Sequence, residues 1–115
     1  MGVLVKKIAL LITAAAASFS QNSFAQTNYL VNGYITFEQG GWYNSYLRVQ
    51  LGGVQFNNPD NCSANDGFIT DPGDQGNNLF NSMLLSAYMA NKKVELTISG
   101  CNGLRPKIIS VAFVN

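Results

Sequence analysis

Trp42, Tyr43 and Tyr46 stand close together after the pair Gly40-Gly41, with Gln39, Asn44, Ser45 and Arg48 beside them. An aromatic face stacks on the C–H side of a sugar ring, while amide, hydroxyl and guanidinium groups read the ring hydroxyls. The chemistry on offer is recognition without bond making. Trp42, Tyr43, Asn44, Tyr46 and Arg48 are therefore the candidate glycan-binding residues. For Trp42 alone the favoured alternative is that its ring folds back over the core. Tyr46, next to Leu47 in an alternating segment, is placed outward.

Catalysis has little to work with. The chain contains no histidine, which removes Ser-His-Asp and Cys-His arrangements, His-ligated metals and the usual general base near neutral pH. Cys62 and Cys101 are the two cysteines, and in an exported chain they are expected to pair rather than act as nucleophiles. A bridge of that span stabilises by roughly 4 kcal/mol in the chain-entropy description. Glu38 and Glu95 are the only glutamates, and nothing singles out a carboxylate pair for glycoside cleavage. Asp60, Asp66, Asp71 and Asp74 gather in one loop-rich stretch, where several oxygens suit a calcium ion. Their spacing matches no EF-hand, and Asp is a common turn and cap former, so the reading is structural. Asn61-Cys62-Ser63 fits a glycosylation sequon, but its cysteine is wanted for the bridge. We expect no enzyme, no cofactor and no metal.

The elements that must position these residues follow a signal peptide. Lys6 and Lys7 precede the apolar run Ile8 to Ala17, and Ser23-Phe24-Ala25 is a small-x-small cleavage site. Residues 1–25 are thus read as a cleaved signal, with a single domain over 26–115 that is secreted or periplasmic. The apolar run is too short for an anchor, so the mature chain is expected to have no membrane span. Lys6 occupies the place of the Ser or Thr that myristoylation at Gly2 requires. Loss of Lys6 and Lys7 from the seven basic residues leaves five against six acidic ones. A net charge of −1 offers nucleic acid no phosphate-neutralising surface.

Tyr29 to Glu38 reads as a first strand, with Val31, Ile35 and Phe37 on one face and Gly33 at a bulge or bend. Tyr46 to Leu51 is a second strand, with Leu47, Val49 and Leu51 inward, and Gly67 to Thr70 a short third. Leu79, Phe80, Met83, Leu84, Ala87 and Tyr88 recur at helical spacing from Asn77 to about Asn91. Asp74 to Asn78 supply candidate caps, and Lys92 and Lys93 suit the helix C-terminus. Val94, Leu96 and Ile98 alternate as a fourth strand, Gly100 to Gly103 makes a turn, and Ile108 to Val114 reads as a strand buried on both faces. The order β-β-β-α-β-β predicts a mainly β, one-helix (α+β) domain of OB-fold type, a five-stranded barrel whose end the helix plugs. An α+β sandwich is the rival. Leu85 and Met89 fall away from the Phe80-Leu84-Tyr88 face. They are read either as a homo-oligomer interface or as ordinary surface apolar residues.

Three features carry a family resemblance: the signal on a short OB-like chain, the hairpin segment Ile35-Thr36-Phe37-Glu38-Gln39-Gly40, and the passage Ala87-Tyr88-Met89-Ala90-Asn91-Lys92-Lys93-Val94-Glu95-Leu96. Together they resemble the small B subunits of pentameric bacterial toxins, nearest the subtilase cytotoxin and typhoid toxin branch. The resemblance implies a ring of five, binding to a host-cell glycan or glycoprotein, and delivery of an exported catalytic subunit. The family's cysteine spacing does not obviously match Cys62 and Cys101, and no sugar-contacting residue carries over. The alternative is an exported accessory or inhibitor protein that docks on a single protein partner.

Overall fold

The computed structural model describes residues 28–115; the signal-peptide reading of 1–25 lies outside the described residues. Strands β1 (Tyr29–Gly40), β2 (Leu47–Gly52) and β3 (Phe68–Ile69) precede helix α1 (Asn77–Ala90), and β4 (Lys93–Asn102) and β5 (Arg105–Phe113) follow it. Over the described residues the chain is mainly β with one helix, in the expected order. Hydrogen bonding runs β1-β2-β3-β5-β4, and β1 pairs again with β4, so the sheet closes into a barrel. Neighbours are antiparallel except β3 and β5, which run parallel where Ile69 faces Lys107.

Strand β1 serves two partners in turn. It pairs with β4 from Tyr29 to Tyr34 and with β2 from Tyr34 to Gly40. Gly33 sits at the handover, where an added Cβ would come within 3.2 Å of both the Gly52 carbonyl oxygen and the Leu51 Cβ. The bulge expected at Gly33 lies instead between Ile35 and Phe37. One extra residue there reverses the alternation. Phe37, expected inward, faces Gln50 on the outer side with the Arg48 guanidinium 4.8 Å above its ring. Glu38 takes the inward position opposite Val49, which is fully buried.

Strand β5 is not buried on both faces. Pro106, Ile108 and Val111 point inward while Ser110 and Phe113 are exposed, because a closed barrel has only one interior face. Strand β4 continues past Gly100 and Cys101, so the hairpin turn is Gly103-Leu104 rather than Gly100 to Gly103.

Helix α1 departs from its expected face. Leu84 and Ala87 are buried and Phe80 and Met83 half-buried against the core, but Leu79 and Tyr88 are exposed. Only the stripe from Phe80 through Met83 and Leu84 to Ala87 packs on the core. No side chain caps the N-terminus; Gly76 occupies the cap position. The Asp74 carboxylate turns to Lys107 at 3.6 Å, and the Asn77 amide donates to Ser45. At the other end Asn91 adopts the left-handed conformation (φ 52°), with Asn91 N–H to the Tyr88 carbonyl and Lys92 N–H to the Ala87 carbonyl. This is a Schellman closure, and it leaves Lys92 and Lys93 beyond the helix rather than in its last turn.

Cys62 and Cys101 form a disulfide, with their Cα atoms 5.8 Å apart and the two residues 39 positions apart in sequence. It ties the β2–β3 connection to the end of β4. The Asn58 side chain brackets Cys62 through its N–H and carbonyl, and Asp60 accepts from Gly100 N–H at 2.7 Å. Among the described residues no helix is long and apolar enough to cross a membrane.

Candidate functional site

The β1–β2 connection stands out from the barrel as an aromatic tip. Trp42 is 80% exposed and Tyr43 95%, so the ring of Trp42 does not fold back over the core. The reason is local. Gly41 N–H donates to the Tyr46 carbonyl at 2.9 Å, and a Cβ at Gly41 would lie 2.6 Å from the Asn44 carbonyl oxygen. That tight closure turns the intervening side chains outward.

Amides from α1 anchor the base of the tip. Asn77 and Asn81 both donate to the Ser45 carbonyl, at 3.2 and 2.6 Å. The Asn81 side-chain oxygen accepts from the Thr70 hydroxyl, which itself accepts from Leu47 N–H, each at 2.8 Å. The Thr70 carbonyl in turn accepts from the Asn102 side chain at 3.0 Å. Thr70 is fully buried. One hydroxyl and its own carbonyl thus connect the tip, the helix start, the end of β3 and the β4–β5 hairpin.

These connected segments enclose a groove of about 480 Å³. It is lined by Trp42, Tyr43, Asn44 and Tyr46 of the tip, by Ile69, Asp71, Pro72 and Gly73 after β3, and by Asn102, Gly103, Leu104 and Arg105 of the β4–β5 hairpin. Four of the five candidate residues therefore share a site. Arg48 does not: its guanidinium lies on the outer face of β2, bonded to Gln39 and Asp66. Arg105 takes the place in the groove that was expected for Arg48. Asn102, Leu104 and Arg105 were not singled out from sequence, and Asp71 was considered only as one of the loop aspartates, not as a residue of this groove. Their only signal is adjacency to the Gly103 turn and the Asp71-Pro72-Gly73 run, which says nothing about which loop they face.

The loop aspartates are ion-pair and turn partners. Asp66 receives Arg105 through two bonds of 2.7 and 2.9 Å and Arg48 at 3.0 Å. The Arg105 hydrogen bond chiefly holds the Asp66 carboxyl below its ordinary range. Asp71 accepts from Gly73 N–H at 2.9 Å and lies 3.7 Å from Lys107. Among the described residues no three His, Cys, Asp or Glu side chains converge as a metal site. The groove thus offers exposed aromatic area, amides and internally balanced charge.

A smaller hollow of about 200 Å³ lies beside β2, over the stacked pair Phe56 and Phe68 (ring centres 5.0 Å apart). Leu85 and Met89 lie on the solvent side of α1, 49% and 85% exposed. Comparison with family models, with curated proteins and with solved structures finds no match.

Proposed function

We propose that this chain is an exported glycan-binding module on an OB-type barrel, resembling a toxin B subunit that mediates cell-surface attachment and delivery. One observation carries the reading. The exposed Trp42 and Tyr43 line, together with the β4–β5 hairpin, a groove large enough for a small ligand. In an OB-type barrel the β1–β2 and β4–β5 loops are where oligosaccharides and oligonucleotides bind. The nearly neutral charge balance favours the sugar over the polyanion. The disulfide suits an oxidising compartment.

Leu85 and Met89 supply the second part of the reading, a homo-oligomer interface on α1. Several copies would turn weak single-site contacts into avidity. A glycan array with wild type, Trp42→Ala and Tyr43→Ala tests the site: binding should appear with wild type and be lost in both variants. Binding by none of the three, or equally by all, refutes it. Light scattering with wild type and Met89→Lys tests assembly, and a wild-type monomer refutes that part alone.

A further inference from the structure

The β-bulge in β1 has placed a carboxyl where the alternation of the strand would have put a solvent-facing group. Past the register shift between Ile35 and Phe37, Glu38 pairs with Val49. Directly opposed residues of an antiparallel pair share a face, and Val49 is fully buried. Both carboxyl oxygens of Glu38 are buried, and neither has a hydrogen-bond partner among the described residues.

Among the described residues no charged side chain of either sign is bonded to it. The inward residues of β2 are Leu47, Val49 and Leu51, and β3 brings Phe68 and Ile69. Helix α1 carries no Asp, Glu, Lys or Arg, and its Tyr88 is exposed. On β2, Arg48 lies on the outer face over Phe37. On β4, Lys93 and Glu95 face Tyr34 and Asn32, at the other end of β1 and on its exposed side. On β5, Arg105 and Lys107 are engaged with Asp66, Asp71 and Asp74.

We propose that Glu38 is a proton-operated latch on the β1–β2 hairpin. Its neutral form keeps the last residues of β1 packed on the barrel interior, and its ionised form releases that end together with the tip it carries. A neutral carboxylic acid can stay in an apolar interior, whereas an unpaired carboxylate there is expelled toward water. Glu38 is separated from the tip by only Gln39 and Gly40, so movement of one is movement of the other. Burial pushes the carboxyl up to about 7, where a modest change of pH operates the latch. In a chain without histidine, little besides the terminal amine ionises in that range.

The test is a pH titration by NMR of the wild-type chain, from about pH 4 to about pH 9. The Glu38 side-chain carboxyl carbon, the Gly40 and Gly41 amides and the indole N–H of Trp42, the only tryptophan, should move together. Their common midpoint should lie near 7, while the Leu96 amide stays in place. Glu38→Gln should abolish the movement of the tip signals. A carboxyl that titrates in the ordinary glutamate range, a tip that does not follow it, or a transition kept in Glu38→Gln each overturns the latch. Should Glu38→Gln fail to fold, the two wild-type readouts decide alone. Weaker glycan binding above neutral pH follows only if the glycan reading holds, so failure of that reading leaves the outcome of the NMR titration intact.

Discussion

Replacing Glu38 by glutamine should change how stability depends on pH more than it changes the structure. Glutamine keeps the shape and removes the charge. Burial lifts the wild-type carboxyl from 4.5 to about 7 in the folded chain. Below 4.5 the proton is bound in both folded and unfolded states, and Glu38 adds no pH-dependent cost. Between these values the unfolded chain releases the proton and the folded chain keeps it, so stability falls as pH rises. The fall ends above about 7, where both forms are ionised. At 1.36 kcal/mol per pH unit, the interval would give at most about 3 kcal/mol. Solvent screening at this half-buried position cuts that to about 1–2 kcal/mol, still a measurable part of the roughly 5–15 kcal/mol that holds a domain of this size. Urea unfolding at a series of pH values reads it directly. Wild type should lose stability steadily across the interval, and Glu38→Gln should stay nearly flat and overtake it above neutral pH. A flat wild-type profile, or the same slope in both proteins, would refute the placement of Glu38 inside the barrel.

Asp66 acts with the opposite sign: its carboxyl is held below 3.8 by Arg105 and Arg48, so its contribution is lost as pH falls through that lowered value. Wild-type stability should therefore peak at mildly acidic pH, which the same urea series shows. Reduction of the Cys62–Cys101 bridge, whose ends are 39 positions apart, should cost roughly 4 kcal/mol; an unchanged melting temperature with reductant would contradict it. Thr70→Val removes the hydroxyl joining Leu47 N–H to Asn81 and should cost about 2 kcal/mol by urea unfolding. Trp42→Ala, at a side chain 80% exposed, should change stability by less than about 0.5 kcal/mol while abolishing glycan binding.

Much of the fold is legible along the chain because it is written in periods. Leu47, Val49 and Leu51 alternate, as do Val94, Leu96 and Ile98, and the structure buries or half-buries each of these residues. The helix spans nearly its expected residues, and the even count of cysteines in a chain read as exported correctly anticipates the bridge. Period alone misplaced Phe37 and gave no sign that Glu38 turns inward, because a bulge is one added residue with no composition of its own. It also misassigned the outer rows of the helix, since apolar spacing does not reveal how wide a surface the barrel end offers. Trp42 illustrates the same limit: its type suits a core as well as a ligand, and the tight closure from Gly41 to Tyr46 turns it outward.

The sequence by itself determined the element order, the inward faces of β2 and β4, the disulfide partners and the aromatic tip. Those are local properties: spacing, turn chemistry and residue count need no knowledge of distant neighbours. Only the tertiary structure decided that Arg105, not Arg48, lines the groove, that Asn102 and Leu104 share it with the tip, and that a carboxyl is buried on the inner side of β1. Each depends on where the closing strands set their register, and that is fixed by packing among residues far apart in the chain.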